Sequence, residues 1–128
     1  MEGIEGFQRG QGCCDMIDSY RFGLITINGV QYRSDCKILN DTVFPGWWRG
    51  RGHRVHLSEI ADILTEDVEI CIIGQGASGL MQLAPDIAPA LEKRKIILIA
   101  QKSDVAANAY NEHIRSGKCV AAAFHLTC

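Results

Sequence analysis

The first part of the chain is patterned for β-strands. From Tyr20 to Ile27, aromatic and β-branched residues alternate with polar residues and glycine, which is the period of a strand. Asn28 and Gly29 follow at once, and both residue types tolerate the positive φ that a tight hairpin turn requires. Residues 30–39 are therefore predicted to return as the second strand of a β-hairpin.

The second half of the chain alternates short apolar runs with helical patterns. Residues 68–73, 96–100 and 119–125 are apolar almost throughout, which is typical of strands buried on both faces. Pro85 suits the first turn of a helix, and Asp104 is placed to cap a second one. The order strand–helix–strand–helix–strand predicts an α/β domain with a mostly parallel sheet, behind an N-terminal β-hairpin layer.

The segment between these halves has weaker signals. Residues 41–54 are rich in glycine, tryptophan and arginine, and we interpret them as a turn and an irregular strand. Ser58 can cap a short helix that follows. Gly117 is placed to end the last helix. Four of the first twelve residues are glycine, so we predict a flexible tail at residues 1–15 and a single domain at residues 16–128.

Composition narrows the classes of function. The chain has 128 residues, 47% of them hydrophobic and 22% charged, with a formal net charge of −2, as expected for one soluble globular domain. The near-neutral charge predicts no nucleic-acid partner. The apolar runs at 96–100 and 120–124 are five residues each, whereas a membrane helix needs about twenty, so no membrane partner is predicted. With no secretory signal, the six cysteines are expected as thiols in the cytoplasm.

A glycine motif is the strongest chemical signal. Residues 74–79 match G-x-G-x-x-G after a predicted strand, within a unit of dinucleotide-binding size. However, Pro85, the helix signal, comes six residues after Gly79, and Gln101 and Lys102 stand where a ribose-binding acid is expected. The motif is therefore open to three interpretations: a dinucleotide site, a site for a smaller anion, or a structural turn, of which the turn is favoured. No cofactor is expected.

Two segments supply the candidate ligand-binding residues. They follow neighbouring parallel strands, and the carboxyl ends of such strands meet at one edge of the sheet, where α/β proteins bind ligands. Backbone amides and one lysine would make a positive pocket there. The candidates are Gly74, Gln75, Gly76, Ser78, Gly79, Lys102 and Ser103.

Other chemical patterns are weak. The cysteines and histidines lack zinc spacing, so no metal site is predicted. His125 and Cys128 are three apart, but a terminal thiol without an orienting acid is a poor nucleophile candidate. Trp47 and Trp48, with their neighbouring arginines, fit a cover over one end of the core better than a base-stacking surface. No catalytic residues are assigned, and the balance is against an enzyme.

A set of strings, taken in order, resembles a known family. The strings are Tyr20-Arg21-Phe22-Gly23, Ile27-Asn28-Gly29, Tyr32 with Asp35, Trp48-Arg49 with Gly52-His53, Ile73-Gly74-Gln75-Gly76, Tyr110-Asn111, and Ala123-Phe124-His125-Leu126-Thr127-Cys128. They resemble the family of domains of unknown function that includes the animal adipogenesis-associated domain protein and a mitochondrial respiratory complex I assembly factor. The resemblance implies a three-layer α/β fold around a central mixed sheet. It also implies a last strand that runs against its neighbours, with His125 at the sheet end away from the glycine motif.

Two hypotheses of function follow. The described members of that family act in assembly or regulation through other proteins, so the resemblance implies a non-catalytic binding or assembly-type module with a protein partner that remains unidentified. The chain start lacks the basic, acid-poor character of a mitochondrial presequence, so the respiratory role is not predicted to transfer by targeting. The alternative is a binder of a small anion or other small ligand, with or without enzyme activity, at residues 74–79.

Overall fold

The computed structural model describes residues 16–50 and 52–128, so the predicted tail at residues 1–15 lies outside the described residues. Ten strands are present in this part of the chain: β1 (Ile17–Arg21), β2 (Leu24–Ile27), β3 (Val30–Tyr32), β4 (Cys36–Leu39), β5 (Thr42–Pro45), β6 (Arg54–Val55), β7 (Ile70–Gln75), β8 (Gln82–Leu83), β9 (Ile97–Gln101) and β10 (Val120–His125). The helices are α1 (Ile87–Lys93) and α2 (Ser103–Arg115), with two short 3₁₀ turns, Leu57–Glu59 and Ala61–Ile63. Neither described helix is long and apolar enough to cross a membrane.

The central sheet is mixed. Its strand order is β5-β4-β10-β7-β9; β10, β7 and β9 are parallel, while β4 runs antiparallel to β10 and β5 runs antiparallel to β4. A separate antiparallel sheet, β1-β2-β3, covers one face together with α2, and α1 and the 3₁₀ turns lie on the other. This arrangement confirms the predicted α/β class with a mixed sheet and an N-terminal hairpin layer.

The direction of β10 corrects one expectation. The last strand runs against β4 but parallel to β7, with His125 opposite Gln75. The expectation that His125 lies at the sheet end away from the glycine motif was therefore wrong. The physical reason is that β10 follows α2 as a crossover from β9, and such a connection between strands of one sheet returns the chain in the same direction.

The N-terminal half is cut into shorter strands than predicted. The hairpin at Asn28 and Gly29 is confirmed, with φ of 51° and 79°. The single strand expected over residues 20–27 is broken by a turn at Gly23, whose φ is 76°, so β1 and β2 form a hairpin of their own. The expected return strand, residues 30–39, divides into β3 and β4, which belong to different sheets.

The predicted helix caps are partly wrong. Ser58 lies inside the first 3₁₀ turn, and the residue before that turn is His56, whose amide donates to Glu59 at 2.8 Å. Asp104 lies inside α2, and Lys102 precedes that helix as its N-cap. Gly117 follows α2 with a φ of 79° and donates its amide to Ile114, so the predicted stop is confirmed.

The core lies on both faces of the central sheet. Alternate residues of β7 supply the two sides: Ile70 and Ile72 face the β1-β2-β3 sheet and α2, whereas Cys71 and Ile73 face α1 and the 3₁₀ turns. All six residues of β10 are buried, because this strand has neighbours on both sides and layers on both faces. This packing fixes the end of β10 and the residues after it.

The burial of two cysteines gives a testable result. Cys36 and Cys71 are fully buried, and burial raises the pKa of each thiol to about 12, with the charge of Asp35 adding to the effect at Cys36. Since thiolates are the reactive species, we expect native thiol labelling followed by peptide mass spectrometry to spare both cysteines and to modify exposed Cys128. Fast labelling of Cys71 in the folded protein would contradict the placement of β7.

Candidate functional site

The ends of three parallel strands meet at one edge of the central sheet. We call this region the carboxyl edge; it consists of residues 76–80 after β7, residues 102–103 after β9 and residues 126–128 after β10. Ligands of open α/β sheets bind beside such strand ends. All the ligand residues predicted from the sequence lie at this edge or in the last residues of β7. The structure thus brings the two predicted segments together.

The amides of the glycine motif have acceptors within the protein. Gly76 donates its amide to the Ser103 hydroxyl at 3.0 Å, Ala77 donates to the Thr127 carbonyl at 2.7 Å, and Gly79 donates to the Gly76 carbonyl at 3.2 Å. The Ser103 hydroxyl in turn donates to the His125 carbonyl. These bonds tie the ends of the three strands together.

Close approach explains the glycine at position 76. Its φ is 97°, and a Cβ there would lie 2.6 Å from the Cys128 carbonyl oxygen and 2.7 Å from that of Thr127. The motif therefore serves the packing of the chain end, which supports the structural-turn interpretation. Of the other candidates, Gly74 and Gln75 are part of β7, while Ser78 and Lys102 are exposed. Their role in anion binding stays a prediction.

A buried polar cluster lies beside this loop. We call Asp35, Arg49 and His125 the Asp–Arg–His cluster. Arg49 Nη2 donates to Asp35 Oδ2 at 2.7 Å and to the Gly52 carbonyl at 3.0 Å. His125 Nδ1 lies 2.7 Å from the same Asp35 oxygen, and the Leu126 amide donates to the other oxygen at 2.8 Å. The cluster fastens the loop after β5 and the start of β4 to the end of β10.

The hydrogen bonds fix the proton on the His125 ring. The two protons of Arg49 Nη2 go to Asp35 and Gly52, so its 3.1 Å approach to His125 Nδ1 is not a hydrogen bond. Because a carboxylate oxygen only accepts, Nδ1 carries the proton of this contact and donates it to Asp35. His125 Nε2 and the Nε and Nη1 atoms of Arg49 are buried and have no hydrogen-bond partner among residues 16–50 and 52–128.

The cluster predicts how stability depends on pH. Burial by itself raises the pKa of Asp35, but the hydrogen bonds from His125, Leu126 and Arg49 outweigh it and hold that pKa below its ordinary value of 3.8. A carboxyl with a lower pKa in the folded state stabilises the fold above its unfolded pKa, and this contribution is lost as the pH falls through the folded pKa.

We therefore expect the free energy of unfolding, measured by urea titration, to decline as the pH falls from about 5 towards 2. In Asp35→Asn the group that titrates is gone, so the decline over this range should be shallower. Equal slopes in the variant and the unchanged protein would contradict the assigned role of Asp35.

The Trp47 ring packs against Arg49, and Glu59 accepts hydrogen bonds from the residues on either side of it, Trp47 and Gly50. The Arg49 guanidinium lies 4.5 Å from the centre of the Trp47 ring, a cation–π contact, and Trp47 Nε1 donates to the Glu59 carbonyl at 3.0 Å. The Glu59 carboxylate accepts the Gly50 amide at 2.8 Å. The sequence interpretation of tryptophan packed with arginine is confirmed for Trp47. It was wrong for Trp48, which is 81% exposed.

The cysteine–histidine pairing differs from the sequence pattern. Cys128 Sγ lies 3.9 Å from Nε2 of His53, not beside His125, and the His53 ring meets the His125 ring edge-on with centroids 5.9 Å apart. Asp35 orients His125, but no nucleophile in the described part of the chain contacts His125 Nε2. No three metal-ligating side chains come together among those residues either. The geometry supports a structural ion-pair cluster more than a catalytic triad.

Three exposed apolar side chains adjoin residues at or beside the carboxyl edge. Phe22, Trp48 and Leu80 are 64%, 81% and 53% exposed, and we call them the apolar rim. Trp48 directly precedes buried Arg49, and Leu80 directly follows the glycine motif. Phe22 precedes Gly23, whose amide donates to the Leu126 carbonyl at 2.9 Å. Each member of the apolar rim is therefore held next to a residue at or beside the carboxyl edge.

Sequence patterns missed the Asp–Arg–His cluster as a unit. Its members are 14 and 76 residues apart in sequence, so no local spacing marks them as partners. The available signal was that all three occur in the strings of the family resemblance, and the structure shows that these distant strings meet at one place.

Comparisons with known proteins agree with this fold. The family model described as "Protein of unknown function (DUF498/DUF598)" matches residues 17–125. The chain is similar to the solved structure of MT938, with 28% identity, a TM-score of 0.74, and coverage of 89% of this chain and 99% of that one. It is similar to a conserved hypothetical protein of Pyrococcus horikoshii, with 24% identity, a TM-score of 0.72 and coverage of 88% and 98%.

A third similar structure is a Bordetella pertussis protein described as a Mth938-like domain, with 17% identity, a TM-score of 0.67 and coverage of 88% and 85%. At this identity the likeness concerns the fold alone. The family match spans β1 to β10, and so it includes all three residues of the Asp–Arg–His cluster. The chain belongs to the DUF498/DUF598 family of proteins of unknown function.

Proposed function

We propose that this domain is a non-catalytic binding module that contacts a protein partner at its carboxyl edge. The observation that carries the proposal is Trp48, which is 81% exposed although it adjoins an arginine that is only 7% exposed. Exposed aromatic residues cost solvation free energy, and tryptophan beside a rigid support is typical of the residues that dominate protein interfaces.

The rigid support comes from the Asp–Arg–His cluster. Arg49 is fixed by Asp35 and by the Trp47 ring, so the backbone that presents Trp48 is anchored on one side. Phe22 and Leu80 likewise adjoin anchored backbone, at Gly23 and Gly79. A surface that is ordered before binding loses less conformational entropy when it meets a partner, which favours affinity.

The absence of an assembled catalytic set in residues 16–50 and 52–128 supports a binding role. His125 Nε2 has no hydrogen-bond partner there, and the Cys128 thiol contacts a different histidine. The resemblance to a family with members in assembly and regulation points the same way. A cytoplasmic location and an assembly-type role remain parts of this proposal.

Site-specific photo-crosslinking tests the protein-partner proposal. Benzoylphenylalanine at position 48 should give a discrete higher-mass adduct in cells that make the protein. The matched control is position 30, because Val30 is 51% exposed but lies on β3. The adduct from position 48 should weaken in Phe22→Ser and Leu80→Ser. Adducts of equal yield from both positions, or none from position 48, would count against the proposal.

A second candidate function is small-anion binding at the same edge. It is favoured by the buried Nε and Nη1 donors of Arg49, which have no partner in the described residues, and by Lys102, whose side chain lies against Gly79. The amides of Gly76, Ala77 and Gly79 already donate to acceptors within the protein, which disfavours their binding of a dinucleotide pyrophosphate.

Calorimetry with phosphate, sulfate, NAD and NADP separates the remaining interpretations of the loop. If this second function holds, phosphate or sulfate binds and exposed Lys102→Glu weakens that binding. Micromolar binding of either dinucleotide would overturn the restriction to small anions and favour an enzyme. Heat from none of the four ligands would leave the glycine motif as a structural turn.

A further inference from the structure

The two edges of the central sheet differ in how they are protected. Unpaired edge strands attract further strands, and proteins guard them with proline, charge or bulges. The β5 edge ends in Pro45, which lacks an amide donor. The β9 edge, with the sequence Ile-Leu-Ile-Ala-Gln, contains no proline, charge or bulge, and Ile97 is 60% exposed. No strand in the described part of the chain pairs with its outer side.

The hydrogen bonds of β9 define which of its backbone groups are free for a partner strand. The amide of Ile97 donates to Glu69 beside β7, at 3.0 Å. Because successive residues of a strand point their amides to opposite sides, Ile99 and Gln101 also face β7. Leu98 and Ala100 therefore direct their N–H and C=O groups away from the sheet.

These free groups match a second copy of the same strand. In an antiparallel pair centred on Ile99, Leu98 of one copy lies opposite Ala100 of the other, and the two residues exchange both N–H···O=C bonds. By the two-fold symmetry, Ala100 of the first copy forms the same pair of bonds with Leu98 of the second copy. The register also places exposed Ile97 opposite Gln101, so no charge within either strand meets a like charge.

Charges at the ends of β9 favour the antiparallel direction. Lys93, Arg94 and Lys95 precede the strand, whereas Lys102 and Asp104 follow it. An antiparallel pair brings the basic end of one copy towards an end of the other at which the charges of Lys102 and Asp104 offset each other. A parallel pair would place the two basic ends side by side, which is unfavourable.

We propose that this protein forms a two-fold homodimer by antiparallel pairing of β9 with β9, centred on Ile99, which makes one ten-stranded sheet from the two five-stranded sheets. This proposal goes beyond the proposed function and does not depend on it, since none of Phe22, Trp48 and Leu80 belongs to β9.

Sedimentation and residue-resolved hydrogen exchange test this dimer. We expect the mass to rise from 14.1 kDa towards twice that value as the protein concentration increases. The amides of Leu98 and Ala100 should become protected over the same range, whereas those of Ile97 and Ile99 should be protected throughout. Ile97→Lys places a charge at the edge and should raise the dimer dissociation constant at least tenfold.

The matched control is Val30→Lys, which changes an exposed β-branched residue on another sheet and should leave the dimer unchanged. A monomer at every concentration would overturn the proposal without touching the protein-partner proposal, which crosslinking at position 48 tests separately. A dimer in which Leu98 and Ala100 remain unprotected, or which Ile97→Lys leaves intact, would place the interface elsewhere and also overturn it.

Discussion

Asp35→Ala should lower the free energy of unfolding by about 3–5 kcal/mol, because it leaves a buried arginine without its counter-charge. The Arg49 side chain is 4% exposed and that of Asp35 is 15% exposed, so water cannot replace the lost carboxylate fully. The substitution also removes the acceptor of the His125 ring and of the Leu126 amide. Denaturant titration measures the effect, which is a large part of the stability of a domain of this size.

Asp62→Ala is the matched control for charge removal. Asp62 forms an ion pair with Lys37 at 2.7 Å; the Lys37 side chain is 12% exposed, but that of Asp62 is 60% exposed. Because this carboxylate is open to water, its removal should cost about 1 kcal/mol, well below the loss expected for Asp35→Ala. If the two variants lost similar stability, Asp35 would be an ordinary surface charge and the Asp–Arg–His cluster would not hold the carboxyl edge together.

Gly76→Ala is expected to have the second large effect, a loss of about 3 kcal/mol or more. The added methyl group would overlap the Cys128 and Thr127 carbonyl oxygens, and both belong to backbone rather than to a movable side-chain end. Either the chain end must leave the loop or the loop must shift. Both changes remove the bond from the Ala77 amide to the Thr127 carbonyl.

Gly117→Ala separates this overlap from the cost of positive φ alone. Its φ is 79°, and a Cβ there would meet nothing within 4 Å, so the expected loss is about 1–2 kcal/mol. Comparing the two variants by thermal or denaturant unfolding isolates the effect of close approach. Equal losses would mean that residues 127–128 do not pack on Gly76 in solution.

The sequence predicted correctly those elements that are determined by a few adjacent residues. The Asn28–Gly29 turn, the buried run that became β7 and the helix stop at Gly117 each follow from a few adjacent residues. The glycine motif shows the limit of such reasoning. Its spacing fits phosphate binding, but Gly76 is required by two carbonyl oxygens that lie about fifty residues further along the chain.

The position of β10 and the Asp–Arg–His cluster depend on long-range packing, which local sequence patterns do not predict. The pattern predicted a buried strand at the end of the chain, but its place between β4 and β7 depends on all three strands at once. The Asp–Arg–His cluster has the same origin, since Asp35 acts only where β10 delivers His125 to it. The sequence also could not predict that Trp48 is exposed. Trp47 and Trp48 are adjacent residues of the same type, and only the fold determines that one is buried and the other is exposed.

The difference in exposure between Trp47 and Trp48 provides the most direct test of the proposed partner-binding surface. The chain has two tryptophans, one 8% and one 81% exposed, so ¹⁹F NMR of protein containing 5-fluorotryptophan compares an internal control with the apolar rim. On addition of extract from cells that make the protein, the Trp48 resonance should shift while the Trp47 resonance keeps its position, and Leu80→Ser should reduce the shift. An unchanged Trp48 resonance in such extract would contradict the proposal that the carboxyl edge binds a protein partner.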